Sequence, residues 1–215
     1  METMQNKFDR SKHVYRNDEF AELLKDAVRF FHGTPVFGLP PPESFTGSGV
    51  YALYYIGRDG IYKKFGESVN RTEYAVPIYI GKAVPPGWRQ SRTASTDTGK
   101  SKSMFSRLGQ HSKSIDAVKN LKVVDFACRF MILEGVAQNM IPSVEAALIS
   151  RHNPLWNSVV DGFGNHDPGK GRRAGRISDW DALHPGRAWT TNQTGERPDT
   201  KDLRRRITDY LVGLR

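Results

Sequence analysis

Residues 145–157 of this chain have the sequence Glu-Ala-Ala-Leu-Ile-Ser-Arg-His-Asn-Pro-Leu-Trp-Asn, and this stretch decides the interpretation of the fold. Its first part is predicted to be helical, because Ser143 can cap a helix that runs to about His152. Asn153-Pro154 should end that helix, since the residue before a proline disfavours helical backbone. The stretch therefore predicts a helix that stops abruptly before a Pro-Leu-Trp-Asn segment.

Glu145 and Asn157 are the polar residues at the two ends of this stretch. The predicted helix would turn three apolar residues inward: Val144, Ala147 and Leu148. Glu145 would then lie on a flank of the helix, where its carboxylate can face a cleft. An ordinary surface role also fits Glu145, because a carboxylate in a first helical turn favours the helix dipole.

Two tyrosine motifs precede this stretch. Gly49-Val50-Tyr51 begins a strand that is predicted to run to Ile56. Tyr79-Ile80-Gly81 belongs to a second, short strand that begins at Ile78. Each motif alone is typical of a turn beside an aromatic residue packed on a sheet.

Tyr55 begins a literal copy of the second motif, Tyr-Ile-Gly. It lies on the same strand as Tyr51, and four residues at about 3.3 Å each put it roughly 13 Å further along. A tyrosine on a neighbouring strand, about 5 Å away, can converge with Tyr51. Tyr79 is therefore the expected partner of Tyr51.

Arg107 and His111 are four residues apart in a helix predicted from Met104 to about Val118. That spacing places both side chains on one face of the helix, one turn apart. Taken alone, they fit a solvated helix face with an incidental histidine. Lys82 follows the second tyrosine motif directly and is a further polar candidate.

The ordered set of these residues resembles the GIY-YIG nuclease family. The matching positions are Gly49-Val50-Tyr51, Tyr79-Ile80-Gly81, Arg107, His111, Glu145 and Asn157. The resemblance implies an α+β fold, with a small antiparallel β-sheet flanked by helices. The resemblance covers residues 47–160, and the length of 215 residues suits one domain made of an N-terminal extension with a helix (1–46), the catalytic core (47–160) and a C-terminal extension (161–215).

The spacers between the motifs are longer than the family usually has. Tyr51 and Tyr79 are separated by 27 residues, and residues 83–103 also exceed the usual spacing. Residues 57–76 and 83–103 are therefore interpreted as inserted loops that bind and read DNA. Within the first of them, Ile61 to Phe65 is predicted as a strand that pairs with the strand before it.

Regular structure is also expected in both extensions. Asn17-Asp18 can cap a first helix, and Lys201 to Leu214 is predicted as a closing helix. The first helix would have one apolar face, formed by Phe20, Leu23, Leu24, Val28 and Phe31. The chain from Pro35 to Pro42 is predicted to be irregular.

The composition indicates a polyanionic partner. The net charge is +9, and nine lysines and arginines lie between Lys82 and Lys122 against Asp97 and Asp116. Clustered basic residues gain affinity by displacing counterions from phosphates. The candidate DNA-binding residues are Arg89, Arg92, Lys100, Lys102, Lys170, Arg172, Arg173 and Arg176.

Cys128 is the only cysteine, which excludes an intrachain disulfide and a multi-cysteine zinc site and suits a reducing compartment. The first residues lack an apolar signal region, and no stretch approaches the roughly 18 apolar residues of a membrane span. A cytoplasmic location without membrane contact is expected.

His166, Asp167 and His184 match no zinc spacing, so turn or DNA contacts are their expected roles.

The resemblance also implies a chemistry. Glu145 would hold one Mg²⁺, with Mn²⁺ as a possible substitute ion, and Arg107 would stabilise the negative charge of the transition state. Tyr79 would position water or phosphate, while Asn157 would fix the Glu145 loop through its amide. Tyr51 is the candidate general base, although a free tyrosine has a pKa near 10.

Two candidates for the base therefore stay open. Lys82, His111 and the metal could lower the pKa of Tyr51. Alternatively, His111 is itself the base, which requires it to be neutral near the working pH.

The short extensions and the inserted loops favour a type II restriction endonuclease that cuts double-stranded DNA at a short palindromic site. A homodimer is expected, since two-fold symmetry matches a palindrome and the apolar N-terminal helix would find a partner. The alternatives are a repair or structure-specific nuclease of the same family and a basic DNA-binding module without catalysis.

Overall fold

The computed structural model describes residues 8–70, 72–85, 87–88, 101–167, 169 and 173–214. Five of the predicted DNA-binding residues lie outside these ranges: Arg89, Arg92, Lys100, Lys170 and Arg172. The strands are β1 (Val36–Gly38), β2 (Gly49–Tyr55), β3 (Tyr79–Ala83) and β4 (Phe126–Ile132). The α-helices are α1 (Asp18–Gly33), α2 (Ser103–Asp116), α3 (Ile141–His152), α4 (Leu155–Ser158), α5 (Asp179–Leu183) and α6 (Thr200–Gly213).

An antiparallel sheet with the strand order β1-β4-β2-β3 is the centre of the fold. The predicted α+β class with a small antiparallel sheet is thereby confirmed. All seven residues of β2 are buried, because β2 has a strand on each side and helices over both faces. β3 lies at the end of the strand order, so one of its backbone edges is available to other parts of the chain.

Alternation along β2 divides the core into two layers, since successive side chains point to opposite faces of a sheet. Tyr51, Leu53 and Tyr55 pack with α2, α4, α5 and α6. Val50, Ala52 and Tyr54 pack with α1 and α3. The helix that carries Arg107 and the helix that carries Glu145 are therefore on opposite faces of the sheet.

The N-terminal extension is part of this structure. Asn17 caps α1 as predicted, and its side chain accepts a hydrogen bond from the backbone of Phe20. The apolar face of α1 packs against α3 and the sheet, and the Nε2 atoms of His32 and His152 lie 3.2 Å apart across this contact. The apolar face of α1, for which a second copy of the chain was expected as partner, is thus largely covered within the chain. Leu23 on this helix remains half exposed.

Three local predictions were wrong. The strand β1 lies inside the segment that was predicted to be irregular; at the sheet edge it tolerates nearby prolines. The helix α3 begins at Ile141 rather than after Ser143, because Pro142 suits a first helical turn. Ile61 to Phe65 is not a strand: residues Gly60–Tyr62 form a 3₁₀ turn and Phe65–Val69 a π turn.

The first predicted insertion contributes to the core. Tyr62 and Phe65 are fully buried, and their spacing of three residues suits a helical turn rather than a strand. Asn70 is also buried, and its amide binds the backbone of Tyr55 and Val76. Tyr62, Phe65 and Asn70 of the predicted insertion therefore support the sheet from inside, and a DNA-reading role for this segment stays a prediction.

The closing helix α6 forms as predicted and buries Leu203 and Ile207. None of the helices formed by the described residues has both the length and the apolar character that a membrane span requires.

Candidate active site

A cleft of about 400 Å³ lies beside β3, where the two layers of the core meet at the edge of the sheet. Its walls include six polar side chains: Tyr51, Tyr79, Lys82, Arg107, Glu145 and His166. The structure thus brings both predicted tyrosines, the predicted arginine and the predicted glutamate to one place, and His111 lies directly behind Tyr51.

The two tyrosines converge because their strands are neighbours. Tyr51 pairs with Gly81 in the register of β2 and β3, and the rings of Tyr51 and Tyr79 are 6.2 Å apart. The Tyr51 ring lies across Gly81, where a Cβ atom would collide with its hydroxyl group. Gly49 is similarly close to a backbone carbonyl, that of Met131. The glycines of both motifs therefore provide space for close packing.

The copy that begins at Tyr55 has a different role. Its hydroxyl donates a hydrogen bond to the backbone carbonyl of Asp59 at 2.7 Å, and its ring packs on Tyr62 and Phe126. Tyr55 therefore belongs to the core at the far end of β2 from the cleft.

Tyr51 and His111 form a buried pair. The Tyr51 hydroxyl and Nε2 of His111 share a hydrogen bond of 2.6 Å, and Tyr51 has no exposed surface. Burial raises the pKa of Tyr51 well above its ordinary value; the neighbouring Tyr79 adds to this, and Arg107 opposes it. Burial, with a contribution from Arg107, lowers the pKa of His111 well below its ordinary value. The pair therefore consists of a neutral tyrosine and a neutral histidine in the free protein.

Arg107 is held on several sides. One terminal nitrogen donates to Oε1 of Gln110 at 3.2 Å and to Nε2 of His166 at 2.5 Å, and the other donates to the carbonyl of Gly164 at 3.0 Å. Gly164 also lies so close to the Tyr79 hydroxyl that a Cβ there would collide with it. The guanidinium is thus fixed at the cleft before any ligand binds.

Glu145 reaches the cleft from the flank of α3, and its side chain is 16% exposed. One of its oxygens, Oε2, is paired with the ammonium group of Lys82. Lys82 was expected to lower the pKa of Tyr51; instead it belongs to the opposite face of the sheet and binds Glu145.

A divalent cation can bind at Glu145 if water and the substrate supply its other ligands. Among the described residues, no three histidine, cysteine or carboxylate side chains are grouped closely enough to hold a metal. Mg²⁺ commonly binds through one or two carboxylates and completes its coordination with water and substrate phosphate oxygens. Glu145 can offer its second oxygen while Lys82 keeps the first, so the residues present suit a metal that is shared with the substrate.

Asn157 binds the edge strand rather than the Glu145 segment. Its amide accepts from the backbone nitrogen of Ile80 at 2.8 Å and donates to the carbonyl of the same residue at 2.9 Å. The backbone of Trp156 also donates to the carbonyl of Ile78 at 2.9 Å. The start of α4 therefore covers the open edge of β3 and holds the strand that carries Tyr79.

The other predicted polar residues lie apart. His184 is buried and binds Tyr62 and Asn120, whereas His166 binds Arg107, so these two histidines do not form a common site. Arg173 and Lys102 are exposed. Arg176 is paired with Asp179 at 2.7 Å, which ties it to α5 in the free protein.

Sequence reasoning missed the segment Gly162–His166 as part of the site. Besides its two contacts to Arg107, the segment places the Phe163 ring against His111, with centroids 4.6 Å apart. Its glycine-rich composition indicated a turn, and no spacing related it to Arg107.

A family model described as the Eco29kI GIY-YIG domain matches residues 43–211 of the chain. The match extends beyond the motif-bearing region into the C-terminal segment that contributes Gly164 and His166. No curated protein matches the chain.

Proposed function

The chain belongs to the Eco29kI family of GIY-YIG restriction endonucleases, and from this membership and the cleft we propose that it is a type II enzyme cutting double-stranded DNA at a short palindromic site. The nuclease family implies a DNA substrate, and its members generally use a divalent metal. The observation that carries the proposal is the convergence of Tyr51, Arg107 and Glu145 on one cleft.

Tyr51 and His111 form the proton-accepting pair in this proposal. A water that attacks the phosphorus gives its proton to the Tyr51 oxygen, while the tyrosine proton passes along the 2.6 Å hydrogen bond to Nε2 of His111. The neutral state of His111 suits it to accept that proton. Tyr51 is buried but lines the cleft, so the attacking water in this proposal approaches its hydroxyl from the cleft.

Arg107 stabilises the charge that develops on the phosphate. Its guanidinium is already oriented, so little reorganisation is needed during the reaction, and preorganised donors of this kind contribute strongly in a site that excludes water. Tyr79 lies between Tyr51 and Arg107 and positions the water or a phosphate oxygen.

Glu145 is the proposed metal ligand, with Mg²⁺ as the expected ion and Mn²⁺ as a substitute. When bound there, the ion would polarise the scissile phosphate and support the departing 3′ oxygen. Lys82 would remain beside the carboxylate and limit the negative charge of the site.

Exposed basic residues such as Lys102 and Arg173 are proposed to contact DNA phosphates. A homodimer is proposed because a palindrome presents two equivalent strands to cut. Sedimentation of the protein with a duplex that contains one site should give two chains per duplex. A stable cutting complex with one chain would rule out the dimer.

The direct test of the activity is incubation of the protein with plasmid DNA and Mg²⁺, with an EDTA control. Discrete, reproducible fragments whose ends share one short palindrome are expected, and EDTA should abolish them. Cutting confined to forks or flaps would favour a structure-specific nuclease. DNA binding without cutting, under Mg²⁺ or Mn²⁺, would favour a binding module.

A further inference from the structure

Arg187 forms a buried ion pair behind the cleft. It is 4% exposed, and its Nε and one terminal nitrogen each donate to Asp181 at 2.6 Å. Its guanidinium also lies 4.6 Å from the ring of Trp180 and 4.7 Å from that of Trp189. Burying two charges is costly unless their other hydrogen bonds are also satisfied. The remaining contacts of Arg187 therefore indicate what the pair holds in place.

The other hydrogen bonds that the Arg187 side chain donates to described residues go to one short loop. Arg187 donates to the carbonyls of Gly162 at 3.0 Å, Phe163 at 3.1 Å and Asn165 at 3.3 Å. Three carbonyls of one loop thus bind a single planar guanidinium group, which fixes the shape of the loop's backbone. We call Gly162–His166 the cleft loop.

The other side of the cleft loop faces the reacting groups. Gly164 and His166 accept two of the three hydrogen bonds that Arg107 donates, and Phe163 stacks on His111 with an angle of 18° between the rings. A guanidinium can only donate, so Nε2 of His166 must be the acceptor, which requires the neutral imidazole. The direction of the Arg107 guanidinium thus depends on this loop.

We propose that His166 and Arg187 are positioning residues for the nuclease reaction: Arg187 shapes the cleft loop, and the loop, through His166, directs Arg107 toward the scissile phosphate. This inference rests on the proposed function. Neither residue belongs to the motif positions that carry the family resemblance, and both lie in the C-terminal segment. The C-terminal segment therefore contributes functional residues to the site.

Replacing His166 provides the first test. His166→Ala removes an acceptor from Arg107, whereas His166→Gln keeps an acceptor near the place of Nε2. Single-turnover cleavage at saturating protein should fall about 10- to 100-fold for the alanine variant, and most of the rate should return with glutamine, because positioning acts on the transition state. The affinity for DNA, measured with Ca²⁺ in place of Mg²⁺, should stay within about threefold. A role in DNA binding predicts the reverse: weaker affinity with an unchanged rate at saturation, and that result would overturn the proposal.

Arg187 requires a milder substitution, since truncation would leave Asp181 buried and unpaired. Arg187→Lys keeps the charge beside Asp181 but cannot reach three carbonyls. Its cleavage rate should fall in the same range as that of His166→Ala, and the double variant should lose less than the product of the two single losses, because both act through Arg107. Two results would contradict a common action through Arg107: a rate loss in the double variant equal to the product of the two single losses, or an Arg187→Lys variant that cuts like the unmodified protein.

A readout independent of cutting separates this inference from the proposed function. Guanidinium NMR of Arg107 should show restricted rotation about its Cζ–Nη bonds in the unmodified protein and faster rotation in both single variants. If rotation is restricted but the protein cuts no DNA, the positioning of Arg107 stands and the proposed nuclease activity is refuted. Equally fast rotation in all three proteins would refute the positioning even if DNA is cut.

Discussion

Two buried tyrosine–histidine pairs lie in the same layer of the core, and they differ in what surrounds them. Tyr51 and His111 share a hydrogen bond of 2.6 Å, and Tyr62 and His184 share one of 2.8 Å. In both pairs burial raises the pKa of the tyrosine and lowers that of the histidine, in the case of His184 to about 3. The chemistry of the pair itself therefore does not distinguish them.

The neighbourhood does distinguish them. Tyr51 lines a cleft together with Arg107 and Glu145, which supply a fixed cation and a carboxylate. His184 is instead enclosed by Asn120, which binds its Nδ1 atom, and by the rings of Trp156 and Trp180. A buried tyrosine–histidine pair is thus a candidate for catalysis when it lies beside a cleft lined by charged side chains. Shifted pKa values alone do not make it one.

The largest expected effect comes from neutralising Glu145, the carboxylate that lines the cleft beside the first pair. Glu145→Gln should lower the single-turnover rate with Mg²⁺ by about 10³-fold or more, since charge stabilisation by a bound metal contributes several kcal/mol. The matched control is Glu134→Gln, on an exposed turn after β4, which should cut like the unmodified protein. Equal rates for both variants would remove Glu145 from the site.

The two copies of the Tyr-Ile-Gly motif provide a smaller effect with an internal control. A Cβ at Gly81 would collide with the Tyr51 hydroxyl, and a Cβ at Gly57 would collide with that of Tyr55. Gly81→Ala should slow cleavage by roughly 10- to 100-fold, because a displaced group near the reaction centre is costly. Gly57→Ala should lower the free energy of unfolding by about 1–3 kcal/mol, as overpacking does, and leave the cleavage rate of the folded protein unchanged. An equal loss of activity in both would contradict the separation of the two ends of β2.

The smallest effect concerns the enclosed pair and is one of stability. The pKa of His184 is about 3 in the folded protein and near 6.5 when unfolded, so only the unfolded state gains its proton as the pH falls below about 6.5. This histidine should therefore cost about 2 kcal/mol of stability between pH 7 and pH 5. Urea unfolding of His184→Gln should show a correspondingly smaller loss over that range. The same pH dependence in both proteins would mean that His184 is charged in the core.

Much of the site could be predicted from the sequence because its members sit on regular elements. Spacing fixes the face of a helix and the side of a strand, so Arg107 and His111 could be placed together, and Tyr79 could be preferred to Tyr55 by the distance along a strand. Glu145 could be assigned to a flank of α3 because its apolar neighbours pack inward. The small antiparallel sheet flanked by helices followed from the family resemblance, whereas the strand β1 was not predicted.

The parts that failed depend on contacts between distant segments. Gly164 and His166 bind Arg107, and Arg187, more than twenty residues later, binds carbonyls of the same loop. Asn157 could be recognised as a helper, but its partner, the backbone of Ile80, is an open strand edge that no sequence pattern reveals. The turn around Tyr62 was wrongly predicted as a strand, because the apolar residues of a run as short as Ile61 to Phe65 fit both the two-residue repeat of a strand and the 3.6-residue repeat of a helix.

The comparison is tested most directly by the single-turnover cleavage rates of Tyr51→Phe and Tyr62→Phe, measured side by side with Mg²⁺ on DNA of one site. Each variant loses one hydroxyl and one buried hydrogen bond to a histidine, so each should lose about 1 kcal/mol of stability. Tyr51→Phe should cut at least about 10²-fold more slowly, the usual contribution of a general base, while Tyr62→Phe should cut like the unmodified protein. A Tyr51→Phe variant that cuts at the rate of Tyr62→Phe would show that the Tyr51–His111 pair does not accept the proton of the attacking water.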